Sequence, residues 1–312
     1  MNFMVTGGTG NWGNYVTRLL LKEGGNKVVV YQRNPLRHRI TDILDHEGKD
    51  LFIVPGDTRD MALLFKTCRD HQIKKVIHLA NRLTPGCAAN PYEATMINCI
   101  GTINVFETAK LLGMDKVVYA SSGTTFGPPS KYDREFIQDD APQYPGMPYS
   151  GTKLYQEVIA NHYYKTWGVD IVGLRPGTVY SSARTDGNSN IAVQEMLMKP
   201  ALGQPGKVTR TPEGSNWHFC EDAARAAILA AKSGKTKTRV FNILGDIRSW
   251  DDAIACVKKL IPDAKLTITM GQPTSVHSYD GKGAREELGY EPIWTMEKGF
   301  EQVIKDVRAG KV

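Results

Sequence analysis

Short apolar runs alternate with amphipathic stretches along the first half of the chain. The runs fall at 3–6, 27–31, 51–55, 75–79, 116–120 and 170–174, and the stretches with helical spacing at roughly 12–24, 36–46, 59–71, 92–113 and 149–167. Brief hydrophobic strands separated by helices predict βαβ units and a parallel sheet buried on both faces. Right-handed crossovers then give an α/β, doubly wound arrangement, with a ligand crevice at the carboxyl ends of the strands. Beyond about Pro176 the alternation weakens. Loops rich in Gly, Pro, Ser and Thr at 181–190 and 203–216 flank a helix near 191–199, followed by a helix at 221–233, a strand near 239–243 and a helix at 249–260. The pattern predicts a large domain over 1–176 and a smaller, mainly substrate-binding lobe over 177–312, with the strand near 239–243 returning to the large domain. No internal repeat interrupts this organisation.

Composition narrows the class without changing it. With 41% hydrophobic and 23% charged residues the chain is an ordinary globular protein. No apolar run approaches the ~20 residues of a membrane helix. The first residues enter a strand without a basic segment or cleavage site, so a cytoplasmic protein without a membrane partner is expected. Cys68, Cys87, Cys99, Cys220 and Cys256 are scattered, which predicts thiols and neither disulfides nor a zinc site. The seven histidines form no ligand set, so no metal is expected. The net charge of +6 is dispersed except for Arg33, Arg37, His38 and Arg39. Nucleic acid would need a longer basic stripe; a small anionic ligand suits this cluster.

The first strand runs directly into Gly7-Gly8-Thr9-Gly10-Asn11-Trp12-Gly13. Glycines at 7, 10 and 13 permit a tight turn, a close backbone approach to a pyrophosphate and close helix–strand packing. A helix beginning near Asn11 would aim its positive end at the phosphates, which assigns Gly7, Gly10, Asn11, Trp12 and Gly13 to a dinucleotide in a Rossmann-type domain. Strand 2 ends in Tyr31-Gln32-Arg33-Asn34, without the carboxylate that marks NAD. Gln32 and Arg33 therefore point to NADP in preference to NAD, because a guanidinium suits a 2′-phosphate; the competing reading of Arg33 is a solvated surface charge. Asp57, followed by Thr58, suits the adenine amino group or the cap of a helix starting near Arg59.

Tyr149 and Lys153 stand four residues apart, on one face of a predicted helix. A phenol is a poor base at neutral pH, and a neighbouring ammonium favours its ionised form. The pair can shuttle a proton to a substrate oxygen while hydride moves to or from a nicotinamide. Ser122, at the end of the fifth strand, can donate to the same oxygen.

These residues carry a resemblance. TGGTGxxG from Thr6, Gly56-Asp57, His78-Leu79-Ala80, Asn98 with its following GTxN, Ser121-Ser122 with Phe126-Gly127, the Tyr149/Lys153 motif and Leu174-Arg175-Pro176-Gly177 together resemble the extended short-chain dehydrogenase/reductase, or epimerase/dehydratase, family. The likeness extends through Asp222, Asn242 and Leu288-Gly289-Tyr290-Glu291-Pro292. It implies an NAD(P)-dependent enzyme with Ser122, Tyr149 and Lys153 catalytic. It further implies that Gly7, Gly10, Gly13, Asp57, Ala80, Asn98 and Pro176 bind or order the cofactor site, and that helices at 92–113 and 149–167 pair in a homodimer. The loop after strand 4, with Arg82, Thr84 and Cys87, should border the site. Arg82, Thr84, Ser122, Gly123, Thr124, Tyr149 and Gly177 are the expected substrate contacts.

Departures from the pattern narrow the chemistry. Gly123-Thr124 stands where the family's dehydratases carry an acid–base Asp-Glu pair. Ser215-Asn216-Trp217-His218-Phe219 lacks the arginine with which sugar-nucleotide epimerases hold a diphosphate, although Arg184 or Arg210 offers a substitute cation. Trp217, His218 and Phe219 suggest a less polar pocket; alternatively Trp217 and Phe219 pack the small lobe, and His218 reads as structural. The leading expectation is interconversion of a small alcohol and its carbonyl with released NADP(H). The alternatives are a sugar or sugar-nucleotide epimerase and a non-catalytic nucleotide-sensing regulator.

Overall fold

The computed structural model describes residues 1–133, 136–183, 192–212 and 214–311. Six strands come from the first half: β1 (Asn2–Thr6), β2 (Lys27–Gln32), β3 (Leu51–Pro55), β4 (Lys75–His78), β5 (Lys116–Ala120) and β6 (Ile171–Arg175). Six follow: β7 (Thr178–Tyr180), β8 (Gly206–Arg210), β9 (Ser215–Phe219), β10 (Val240–Asn242), β11 (Asp246–Arg248) and β12 (Leu266–Met270). The main sheet has the order β10-β6-β5-β4-β1-β2-β3, with every pairing parallel. The chain reverses its winding between β1 and β4, which places the crevice at their carboxyl ends.

Alternation along each strand feeds two cores. Met4, Val29, Val76, Val117 and Ile171 face the helices that contribute Leu64, Phe106 and Tyr163. Val5, Val30, Ile77, Val118 and Val172 face the other layer, where Val16 and Leu20 of the helix Gly13–Glu23 meet the alanines of the helix Cys220–Lys232. Ala224, Ala227 and Ala231 are fully buried, and side chains this small let that helix lie close to both the sheet and its neighbour. The returning strand was expected near 239–243 and is β10. The second half returns more than that strand, because the Ala-rich helix and Ala284 and Leu288 of the helix Lys282–Leu288 join the same core.

Several sequence expectations change. The segment 36–46 is a 3-10 helix, Arg37–His46, kinked at Ile40. The helix expected over 92–113 runs from Pro91 to Leu111 and contains a wide π turn at Met96–Ile100. The 203–216 stretch is no loop. It holds β8, paired in parallel with β12, and leads into β9, which lies between β11 and β7. Val208 is the one large apolar side chain in β8, so the local pattern carries little strand signal, and the partner strand lies far along the chain. The helix near 191–199 is described from residue 192 to Ala201. Most of the 181–190 loop, with Arg184, lies outside the described residues. All five cysteines are buried and none is in a disulfide. Among the described residues no helix is long and apolar enough to cross a membrane.

One buried ion pair joins the sheet to the helix Pro148–Trp167. Arg175, at the end of β6, grips Glu157 with a two-pronged fork, Nε to Oε1 at 2.8 Å and Nη2 to Oε2 at 2.7 Å. Both side chains are about 95% buried, at 5% and 6% exposure. The Ser121 hydroxyl donates to the same carboxylate. Deleting one partner leaves the other charged and unpaired, so Glu157→Leu is expected to cost about 3–5 kcal/mol in denaturant unfolding. The Glu157→Leu/Arg175→Met double variant should lose less than the sum of its single changes.

Candidate active site

The cradle after β1 is shaped by contacts that exclude side chains. Gly7 has a φ of +72°, and a Cβ there would stand 3.1 Å from the Ala80 nitrogen. A Cβ at Gly13 would fall 2.1 Å from the Gly7 carbonyl oxygen, so only glycine lets the helix start against the turn. The helix begins at Gly13, two residues later than the expected Asn11, with Trp12 at its cap. Asn11 Oδ1 accepts from the Ser181 hydroxyl at 2.6 Å. Gly7, Gly10, Asn11, Trp12 and Gly13 all line one cavity of about 830 Å³ at the carboxyl ends of the strands.

At the end of β2, Gln32 Oε1 accepts from the Thr9 amide and hydroxyl, both at 2.9 Å, so this amide braces the turn while bordering the cavity. Arg33 is half exposed and also borders it, with Nη1 4.0 Å from Asp57 Oδ2 and 3.9 Å from Glu93 Oε1. Arg39, from the same basic run, contributes a second guanidinium to the wall. Asp57 and Thr58 line the cavity. Asp57 does not cap the next helix: its carboxylate holds Arg59, whose hydrogen bonds keep it below the usual carboxylate range. The helix starts at Met61, and Asp60 caps it by accepting from the Leu63 amide at 2.9 Å.

Beyond β4, Ala80, Asn81, Arg82 and Thr84 line the wall. Arg82 is paired with Glu93 at 3.0 Å. Asn98 corrects a sequence expectation, because it is fully buried and does not line the cavity. Its Oδ1 accepts from the Arg82 amide at 2.7 Å, and its Nδ2 donates to the Arg82 carbonyl and to Thr152 Oγ1, both at 3.0 Å. Asn98 thus ties the loop to the helix Pro148–Trp167 and orders the site from behind. Cys87 is likewise buried behind the wall, its thiol donating to the Arg82 carbonyl at 3.2 Å.

Tyr149 and Lys153 rise from that helix into the cavity that Ser122, two residues past the end of β5, also lines. The Lys153 ammonium lies 5.5 Å from the Tyr149 ring centroid and donates to the Ala120 carbonyl at 2.6 Å and to Gln156 Oε1 at 3.2 Å. Burial pulls its pKa down from 10.5 to about 7, against weaker upward pulls from Cys87, Cys99 and Glu157. Ser122 Oγ accepts from the Thr124 amide and hydroxyl at 3.2 and 3.0 Å, which orients its own hydrogen away from Thr124.

Of the expected substrate contacts, Arg82, Thr84, Ser122, Thr124, Tyr149 and Gly177 line the cavity, together with Pro176. Gly123 does not. A Cβ there would fall 1.6 Å from the Tyr279 hydroxyl, so the residue is small because another side chain occupies the space. The segment carrying Tyr279 supplies wall residues that no motif marked: Gln272, Thr274, Ser275 and His277. Lys207, Thr209 and Thr211 add a polar row on β8 and just past it.

Trp217 and Phe219 are absent from this wall and pack in the second core, Trp217 against Phe300 at 5.4 Å and Phe219 against Trp294 at 4.3 Å between centroids. His218 is fully buried, with Nε2 2.9 Å from the Tyr290 hydroxyl, and burial pulls its pKa to about 3. It is a neutral structural ring. Arg210 pairs with Asp251 and does not reach the cavity.

The model of the family described as "NAD dependent epimerase/dehydratase family" matches residues 3–243. UDP-glucose 4-epimerase of Lactobacillus helveticus is 30% identical over 316 residues, covering 94% of this chain and 92% of that protein. The UDP-glucuronic acid 4-epimerase of Bacillus cereus, solved with UDP-glucuronic acid and NAD, superposes with a TM-score of 0.85 at 22% identity, over 99% of both chains. L-threonine dehydrogenase from Clostridium difficile superposes with a TM-score of 0.83 at 21% identity, over 100% of this chain and 98% of that one. With a strand-to-helix glycine cradle and a Tyr149/Lys153 pair meeting in one cavity, the chain belongs to the NAD-dependent epimerase/dehydratase family of extended short-chain dehydrogenases/reductases.

Proposed function

We propose that this chain is an NAD(P)-dependent oxidoreductase that interconverts a small alcohol and its carbonyl, with Ser122, Tyr149 and Lys153 as the proton-transfer centre. The observation that carries the reading is the convergence of those three side chains on the cavity that the glycine cradle opens. The wall also fits a dinucleotide. Trp12 Nε1, Asn81 Nδ2 and Arg82 Nε are buried there without protein partners among the described residues, and the Gly7/Gly13 contact keeps the backbone clear for phosphates. Gly7, Gly10, Asn11, Trp12 and Gly13 would hold the pyrophosphate, and Asp57, Thr58 and Ala80 the adenosine side. Arg33 and Arg39, which both line the cavity, support NADP over NAD by offering guanidinium groups to a 2′-phosphate.

A bound nicotinamide supplies or accepts the hydride. The protein's part is proton handling. Ser122 donates to the substrate oxygen, and Tyr149 passes the proton to or from it. The ammonium of Lys153 stabilises the phenolate, and an anionic phenolate in turn raises the lysine pKa above its burial-lowered value. Opposite, Lys207, Thr209, Thr211, Gln272, Thr274 and Ser275 form a wall of hydroxyls, an amide and one ammonium. That chemistry suits a small, hydroxyl-bearing substrate better than a nucleotide diphosphate, and Arg210 is committed to Asp251. The 30% identity to a UDP-glucose 4-epimerase over most of both chains favours a second reading, epimerisation with retained cofactor.

Turnover and binding measurements test this. Screening alcohols and carbonyls should find a substrate that changes nicotinamide absorbance with net accumulation, and Tyr149→Phe should lower that turnover by about 10²–10⁴-fold while preserving cofactor affinity. Isomerisation without net absorbance change would establish the epimerase, and behaviour unaltered by Tyr149→Phe would establish a nucleotide sensor. Arg33→Ala should weaken NADP binding by about tenfold or more and leave NAD binding nearly unchanged, as read by calorimetry. We also propose a homodimer through the helical faces that expose Tyr92, Ile100 and Leu111 and Tyr155, Val158 and Trp167. Light scattering at micromolar concentration should give twice the 34.6 kDa chain mass, and Val158→Glu should halve the measured mass; a monomeric wild type overturns the proposal.

A further inference from the structure

Behind Lys153 lies a buried polar chain that the proton-transfer centre itself does not use. Gln156 is 1% exposed and one turn along the helix from Lys153. Its Nε2 faces Asn81 Oδ1 at 2.9 Å, the Asn98 carbonyl at 2.6 Å and Thr102 Oγ1 at 2.9 Å. A backbone carbonyl can only accept, so the amide cannot turn over, and Oε1 must face the lysine. Thr102 in turn donates to the Asn98 carbonyl at 2.6 Å, which leaves it an acceptor for His78 Nε2 at 3.0 Å. His78 Nδ1 then accepts from the Thr6 hydroxyl at 2.7 Å. Burial pulls His78 to about 3, so the ring stays neutral and its tautomer is set by its neighbours. The two Nε2 hydrogens are shared among three acceptors, whereas Oε1 has only the lysine to face.

We propose that Gln156 is the positioning residue for Lys153, a fixed acceptor that, with the Ala120 carbonyl, anchors two of the three ammonium hydrogens and aims the third at the cavity. The inference rests on the reading of Tyr149 and Lys153 as a proton-transfer pair, but its geometry and its test do not require turnover. The ammonium is otherwise faced by neutral or distant groups. His78 lies below it on β4, Cys87 and Cys99 stand on the two helical segments packed against it, and Glu157, on its own helix, is held by Arg175. Tyr149 faces it from the cavity side. None of these replaces the Gln156 oxygen as a hydrogen-bond acceptor in the described contacts.

The test is a direct titration of Lys153. Protein labelled with ¹³C at lysine Cε is followed by two-dimensional ¹H–¹³C spectra against pH, with Lys153 assigned by the signal lost in Lys153→Met. Gln156→Met removes the acceptor and should lower the midpoint. Gln156→Glu keeps an oxygen toward the ammonium, while its second oxygen, protonated, donates to the Asn98 carbonyl in place of the amide, so its midpoint should not fall below that of the wild type. A residue with a merely structural role would change melting temperature and leave the midpoint in place, so a folded Gln156→Met titrating like the wild type, or a Gln156→Glu whose midpoint falls, overturns the proposal. Should neither variant fold, the wild-type spectrum decides: an anchored ammonium gives two resolved Hε shifts for Lys153, and a single averaged shift overturns it. The clamp and the enzymatic reading can fail separately, because a shifted midpoint together with an active Tyr149→Phe would keep the first and reject the second.

Discussion

Placing an ammonium where water hardly reaches is unfavourable unless its hydrogens find fixed acceptors, and Lys153 is 1% exposed. Much of the surrounding architecture answers that constraint. The Ala120 carbonyl is available because β5 ends there, and Gln156 is available because the helix continues unbroken past the lysine for more than three turns. The helix in turn cannot slide on the sheet, since Glu157 is locked to Arg175 at the end of β6 and to Ser121 at the end of β5. Two strand ends and one helix are therefore registered against each other by charge, and Ser122 and Tyr149 inherit that registration.

The sheet supplies the other half of the arrangement. Because the winding reverses between β1 and β4, the turns after these two strands open side by side, and Gly7 lies against Ala80. Asn98 then draws the loop after β4 toward the helix of Tyr149 without entering the cavity. The glycine cradle and the Tyr149/Lys153 pair are thus neighbours as a consequence of strand order, and the second half of the chain adds the rest of the wall together with β10 and the helix Cys220–Lys232 of the same core.

Local signals made the first half legible. The cradle glycines, the Tyr149/Lys153 spacing and the alternation of apolar runs each depend on residues close in sequence, and the structure brings the cradle, Ser122, Tyr149 and Lys153 together. What escaped depends on distant partners. Gly123 reads as a substrate contact until Tyr279 occupies its Cβ position, and Asn98 reads as a ligand contact until its amide is seen to be consumed by Arg82 and Thr152. Asp57 reads as a helix cap by sequence, but the Arg59 guanidinium holds it and the cap falls to Asp60. The β8–β12 pairing joins two mostly polar stretches with no local pattern to announce it. Trp217 and Phe219 could serve a pocket or a core, and burial beside Phe300 and Trp294 decides for the core.

The contact between Tyr279 and Gly123 has a consequence for how the molecule comes into being. The residues of the cradle, Ser122 and the Tyr149/Lys153 pair all precede β7 in the chain, whereas the cavity wall is completed by residues 272–279. During synthesis the glycine cradle and the buried charges around Lys153 leave the ribosome well before the segment that completes the cavity wall. A growing chain therefore carries the cradle residues before either the Ala-rich helix that packs against the cradle's helix or the wall of residues 272–279 has been made. That stretch of wall is the last part of this cavity to be made.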